Sequence, residues 1–157
     1  MASKIEKSID VEVPARVAYN QWTQFEEFPR FMEGVESVQQ LDDTHLHWRA
    51  QVGGKTLEWD AEISEQIPDK RIAWHSVHGA RNAGVVTFHR LAEDRTRVTL
   101  QMDYEPQGFV ENVGDWLGVA TSRVEGDLER FKEFIESRGH ETGAWRGHVP
   151  SPDERRM

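Results

Sequence analysis

The chain has no cysteine. Disulfides, thiolate metal sites and cysteine nucleophiles are therefore excluded, and the absence fits a reducing cytosol. No apolar run approaches the ~18 residues of a membrane span. The N-terminus, Met1-Ala2-Ser3-Lys4-Ile5-Glu6-Lys7, lacks the apolar stretch of a signal peptide. Basic residues are also scarce, 19 against 28 acidic, for a net charge of -9. Nucleic acids and anionic membranes need a basic face, so neither is an expected partner. No HExxH helix, phosphate loop, Rossmann glycine pattern or nucleophile elbow occurs. The expectation is a cytoplasmic protein with no metal, no cofactor and no stable membrane insertion. The oligomeric state stays open.

What is present suits one domain with one core. At 157 residues a fold buries roughly 68–70% of its unfolded surface and needs no staple. Six Trp and seven Phe are many for so polar a chain. Large rings build cores, and they also line pockets for flat or greasy ligands.

The hydrophobic period is 2 over most of the length. Ile5 to Val13 alternates as a strand. Pro14 then suits the first turn of a helix, where its missing N–H costs nothing. A short helix is predicted over about Ala15 to Trp22. A second, shortened by Pro29, carries Phe25, Phe28, Phe31 and Met32. Six strands follow: Val35 to Leu41, His45 to Val52, Lys55 to Ile67, Arg71 to His78, Asn82 to Leu91 and Thr96 to Tyr104. Gly53-Gly54 is a hairpin signal. From about Val110 to Arg138 the period becomes 3.6, with one apolar stripe through Trp116, Ala120, Val124, Leu128, Phe131 and Ile135. Gly139 stops it.

Seven strands need a cover for their apolar face, and one long helix is the sole candidate. One helix cannot fill a curved seven-stranded sheet, so space should remain between them. The fold class is α+β: a curved antiparallel sheet around a long C-terminal helix, with two short helices after the first strand. Residues 1–139 form the domain. Residues 140–157, rich in Gly, Pro and charge, are expected to be a flexible tail, dispensable past Gly143. Trp145, within Gly143-Ala144-Trp145-Arg146-Gly147, is the one group there that could dock.

Several motifs carry a family resemblance. They are Val11-Glu12-Val13-Pro14 with Val17 and Trp22, then Phe25-Glu26-Glu27-Phe28-Pro29-Arg30-Phe31-Met32. Trp59-Asp60-Ala61-Glu62-Ile63, Ile67-Pro68-Asp69 and Arg71-Ile72-Ala73-Trp74 continue the pattern. Gly84-Val85-Val86-Thr87-Phe88, Thr96-Arg97-Val98, Asp127-Leu128 and Phe131-Lys132 complete it. With these the chain resembles the START-like (SRPBCC) superfamily with the helix-grip fold. The likeness is to its polyketide cyclase/dehydrase-type branch, which shades into coenzyme Q-binding-type proteins, over about residues 3 to 138. The resemblance implies an internal cavity for a hydrophobic or aromatic small molecule of polyketide, lipid or quinone type. The alternative it implies is a polyketide aromatase/cyclase or dehydratase working by orientation and acid–base catalysis. Such enzymes steer ring closure with polar pocket residues, including an arginine. Here the pattern places no such arginine: Arg49 and Arg71 fall outward by strand parity.

Strand parity and the helix stripe nominate the cavity wall. The strands offer Trp48, Trp59, Trp74, Phe88, Met102 and Tyr104. The long helix offers Trp116, Ala120 and Val124. Ser76 and His78 share the parity of Trp74 and could anchor a ligand carbonyl or hydroxyl, with Asn82 and Thr87 nearby. Each of these positions also reads as plain core or strand-end chemistry. The histidines at 45, 47, 75 and 89 and the carboxylates Glu58, Asp60 and Glu62 read as a solvated outer face. Entry is expected near the N-terminal half of the long helix, where Gly114 and Gly118 permit motion and Trp116 could gate.

Overall fold

The computed structural model describes residues 3–52, 55–104 and 113–150. Seven strands form one antiparallel sheet: β1 (Ser3–Val11), β2 (Val35–Gln40), β3 (His45–Val52), β4 (Lys55–Ile67), β5 (Arg71–Gly79), β6 (Asn82–Ala92) and β7 (Arg95–Tyr104). Their order is β1-β7-β6-β5-β4-β3-β2, a meander closed by β1 pairing beside β7. Between β1 and β2 lie α1 (Ala15–Trp22) and a 3₁₀ helix (Phe25–Arg30) that contains Pro29. The last helix, α2, runs Val113–Arg138, about 39 Å at 1.5 Å per residue. This is the expected helix-grip architecture. The Gly53-Gly54 hairpin lies outside the described residues.

Alternation places the core. Leu46, Trp48 and Ala50 on β3 and Trp59, Ala61 and Ile63 on β4 are all buried. Ile72 and Trp74, Val86 and Phe88, and Val98 and Leu100 continue the same face. Register shifts between β4 and β5, one at Val77 of β5 opposite Asp60 and Ala61 and one at Ser64 of β4, bend the sheet. The outer face carries charge. Arg49 donates to Glu36 (2.6 Å) and Glu58 (3.0 Å), Arg71 pairs with Glu65 (2.8 Å), and His47 Nδ1 lies 2.7 Å from Asp60.

α2 grips the sheet unevenly. Its C-terminal half is packed solid. The Phe131 ring sits 5.5 Å from Trp22 and 5.3 Å from Phe31, and Leu128 and Ile135 are buried beside it. Lys132 donates to the Asp10 carbonyl (2.7 Å), and Glu136 accepts from the Glu12 N–H (2.7 Å). These bonds cover backbone groups at the C-terminal end of the edge strand β1. Lys7, facing the helix from β1, pairs with Glu125 (3.3 Å). Among the described residues no helix is long and apolar enough to cross a membrane.

The C-terminal segment departs from expectation. Residues 140–150 are not a free tail but a strap over α1. Glu141 accepts from Asn20 Nδ2 (2.7 Å). Gln21 Nε2 donates to Thr142 Oγ1 (3.0 Å), and Gln21 Oε1 accepts from the Thr142 N–H (2.9 Å). The Trp145 N–H donates to Thr23 Oγ1 (3.0 Å), and its indole packs on the core. Arg146 donates to Asn20 (2.7 Å) and Asp69 (2.9 Å) and lies over the Tyr19 ring (5.6 Å). Val149 is buried and exchanges both backbone hydrogen bonds with Gln66 (2.8 and 2.9 Å).

Among the described residues, four of the six buried polar ones, Asn20, Gln21, Thr23 and Gln66, are partners of this strap. The composition of 140–150 concealed this, because polar side chains here seek fixed partners on α1 rather than solvent. Residues 151–157 lie outside the described residues.

Candidate functional site

A cavity opens between the sheet and the middle of α2, at Arg123, Val124 and Asp127. It holds about 690 Å³ of empty space, counted out to the solvent at its mouth. Trp48 and Trp59, cross-strand partners on β3 and β4, form one wall with rings parallel to within 10° and centroids 5.8 Å apart. Trp74 of β5 lies across Gly84 of β6. A Cβ at Gly84 would overlap the Trp74 ring and approach Met102 Sδ to 2.9 Å, so glycine lets the indole lie flat against the strand. Trp22 and Phe28 close the cavity from the helical side, and Val124 closes it from α2.

Polar groups are few. Arg123 of α2 donates to the Gln51 carbonyl (3.2 Å), bridging the mouth between helix and β3. Its guanidinium rests on Gly34, where any side chain would displace it. One turn along, Asp127 Oδ1 accepts from Arg130 (2.6 Å) and from the Glu33 N–H (3.2 Å). Burial pushes the Asp127 carboxyl above its ordinary value, against the opposing pull of Arg130. Asn82, at the start of β6, is the third polar side chain well inside the wall.

The raised Asp127 gives a signed expectation. Below the ordinary carboxylate value of 3.8, both folded and unfolded chains hold the proton and no penalty arises. As pH rises through that value toward the folded-state value, the unfolded chain ionises first and stability falls. Asp127→Asn removes this loss. Its stability relative to wild type should therefore rise from acidic to neutral pH in denaturation series. A difference independent of pH would show that Asp127 ionises without penalty.

The structure brings together Trp48, Trp59, Trp74, Met102 and Val124 from the nominated set. It sets four others apart. Phe88 packs edge-on against Tyr19 (5.5 Å) in the core beneath α1. Ala120 is buried without lining the cavity. Ser76 lies behind the wall and accepts from the Asn82 N–H (3.1 Å). His78 is exposed. A bulge explains it: Ser76 pairs with the inward Ala61, but His78 pairs with the outward Asp60, so parity flips at Val77. The side chains of Tyr104 and Trp116, with Gly114, lie outside the described residues.

Sequence reasoning missed Trp22, Phe28, Arg123 and Asp127, and noted Asn82 only as a neighbour of the anchor positions. Strand parity placed no arginine at the cavity, and the structure supplies Arg123 from α2. It sits one residue before Val124, on the edge of the apolar stripe rather than on a strand. The i, i+4 pair Arg123 and Asp127 flanking that stripe was the available signal. Among the described residues no group of three histidine or acidic side chains could hold a metal ion.

Comparison with known proteins places this geometry. Residues 11–133 match the family described as polyketide cyclase / dehydrase and lipid transport. An uncharacterized 17.2 kDa protein in the melC2-rnhH intergenic region of Streptomyces lincolnensis is 60% identical over 148 residues, covering 94% of this chain and 99% of that one. The Zhui aromatase/cyclase from a Streptomyces species superposes with a TM-score of 0.74 at 17% identity, covering 92% of this chain and 100% of the other. A START superfamily protein from Mycobacterium smegmatis gives 0.76 at 13% identity, covering 86% and 98%. At those identities the two structures speak to the fold.

Proposed function

This chain belongs to the polyketide cyclase/dehydrase and lipid-transport family, and from that premise we propose that its cavity binds a hydrophobic, ring-containing small molecule. The observation that carries this reading is the indole wall. Trp48 and Trp59 stack in parallel and Trp74 lies flat on Gly84, all facing one cavity. Parallel indole faces suit a flat ring better than a flexible acyl chain, because aromatic pairs favour offset stacking. A ligand burying ~300 Å² of apolar surface gains roughly 7 kcal/mol at about 25 cal/mol per Å². Ordering costs then leave an affinity on the order of micromolar.

Tryptophan fluorescence tests the reading. Titration with menadione (a short quinone), with emodin (an aromatic polyketide) and with oleate should show saturable quenching by the two ring compounds and weaker binding of oleate. Gly84→Ala drives the Trp74 indole off the strand toward the cavity and should weaken menadione binding at least tenfold. Failure of all three to bind, with no small molecule released from the purified protein on denaturation, would remove the reading.

A second reading, a cyclase or dehydratase, is favoured by one observation. Asp127, whose carboxyl is raised by burial, and Arg123 stand at the wall of a largely apolar cavity. A carboxyl shifted toward neutrality can exchange a proton with a poly-β-keto chain that Arg123 orients. Turnover of a poly-β-keto thioester analogue, abolished in Asp127→Asn while ring binding persists, would place this reading first.

A further inference from the structure

Two arginines of α2 fasten the helix to the rim of the cavity, and they are held unequally. Arg130 reaches the Phe31 carbonyl (3.1 Å), Asp127 (2.6 Å) and Glu33 (3.3 Å). Arg123, two turns earlier on the same edge of the helix, reaches only the Gln51 carbonyl (3.2 Å). Among the described residues Arg123 has no ion pair. The carboxylate a turn away, Asp127, is taken up by Arg130 and by the Glu33 N–H (3.2 Å).

The seat of Arg123 is built for it. Gly34 and Gln51 line the cavity together with Arg123, and their backbones are joined by the Gln51 N–H donating to the Gly34 carbonyl (2.7 Å). The half-exposed arginine therefore crosses from α2 to the point where β2 begins and β3 ends. A Cβ at Gly34 would overlap Arg123 Nη1 and come within 2.9 Å of both its Cζ and the Gln51 carbonyl oxygen. The backbone itself does not call for glycine there, since its φ lies outside the left-handed region. What uses the missing side chain is the guanidinium.

We propose that Arg123 is a crossbar over the cavity mouth, seated on Gly34, that sets how fast a ligand enters and leaves. This rests on the cavity-binding reading and adds the route. It moves the entry from the Gly114 to Gly118 part of α2, expected from sequence, to the middle of the helix. A partly exposed side chain reorients in picoseconds to nanoseconds, faster than a ligand passes. Exchange then runs in proportion to the time the guanidinium spends off its seat. Lifting it breaks one hydrogen bond with solvent at hand, while the three contacts of Arg130 keep α2 on the rim. The crossbar impedes entry and exit alike, so it changes rates and leaves the equilibrium affinity as it is.

Two measurements on the full chain test this. Stopped-flow tryptophan fluorescence with menadione gives the association and release rates. In Arg123→Ala both should rise together, by about tenfold, with Kd changed less than about threefold. Gly34→Ala should act in the same direction, and the double variant should be no faster than Arg123→Ala alone, because both changes remove one tie. Acrylamide quenching needs no ligand. The buried indoles of Trp48, Trp59 and Trp74, which line the cavity, should be quenched more in Arg123→Ala than in the wild type. Weaker affinity at an unchanged association rate makes Arg123 a ligand contact and overturns the crossbar, and so do unchanged rates. Where menadione does not bind the wild type, the quinone arm of the cavity reading falls and the acrylamide comparison decides alone. Greater quenching in Arg123→Ala then supports the crossbar, and equal quenching overturns it. Arg123→Ala places a strong helix former at a half-exposed helix position, so it decides the matter even where Gly34→Ala fails to fold.

Discussion

Phe131→Ala loses on the order of 3–5 kcal/mol of folding stability in urea denaturation, the range for deleting a fully buried ring. Phe131 is fully buried on α2. Its ring meets Trp22 at 57° and Phe31 at 63°. Those rings are themselves locked: Trp22 lies 5.2 Å from Phe28, and Phe28 lies 5.5 Å from Phe31. A cluster of rigid rings cannot collapse into the hole, so the cavity term persists in full. The site is also the hinge of the grip. α2 crosses the helical layer here, and Lys132 and Glu136 bind the edge strand from the next turn. Phe131→Leu keeps part of the volume and should lose less than half as much. A loss below about 1 kcal/mol for the alanine variant would mean that the helix is held elsewhere.

Truncation after Gly139 lowers the melting temperature clearly, by a stability loss on the order of 2 kcal/mol. The burial of Val149 alone is worth about that much. The strap's hydrogen bonds add to it, and ordering the segment offsets part of the gain. Removing it also strips partners from Asn20, Gln21, Thr23 and Gln66, which line up on the side of α1 and β4 that it covers. The point variant Val149→Asp tests the same contact without shortening the chain, since it buries a charge against Gln66. An unchanged melting temperature in both would return 140–150 to the status of a dispensable tail. The strap also explains why α1 tolerates buried polar residues on one side. Val17, Ala18 and Trp22 face the core, and Asn20 and Gln21 face the strap.

The cavity was partly legible for a reason that can be stated. Where a strand keeps strict alternation, parity predicts facing, so Trp48, Trp59 and Trp74 were assigned inward and are buried there. Where a bulge intervenes parity fails, and His78 turned outward one residue beyond the slip at Val77. Phe88 shows a different limit. Its facing was right, but the concave face is shared between a solid part under α1 and a hollow part under the middle of α2. Period alone does not say which part a given residue reaches.

The local sequence by itself determined the elements and their order. Pro14 starts α1, Pro29 confines the next turn to a 3₁₀ helix, and the period changes from 2 to 3.6 before α2. Those are short-range steric and hydrophobic rules that act within a few residues. They also determined that one helix must cover seven strands and leave space. Only the tertiary structure decided what surrounds that space. Arg123 reaches Gln51 across 72 positions of chain, Asp127 meets Glu33 across 94, and Thr142 meets Gln21 across 121. Such pairs depend on where α2 crosses and how the sheet curls. A polar side chain on the border of an apolar stripe takes its role from whichever distant backbone the fold brings within hydrogen-bond reach.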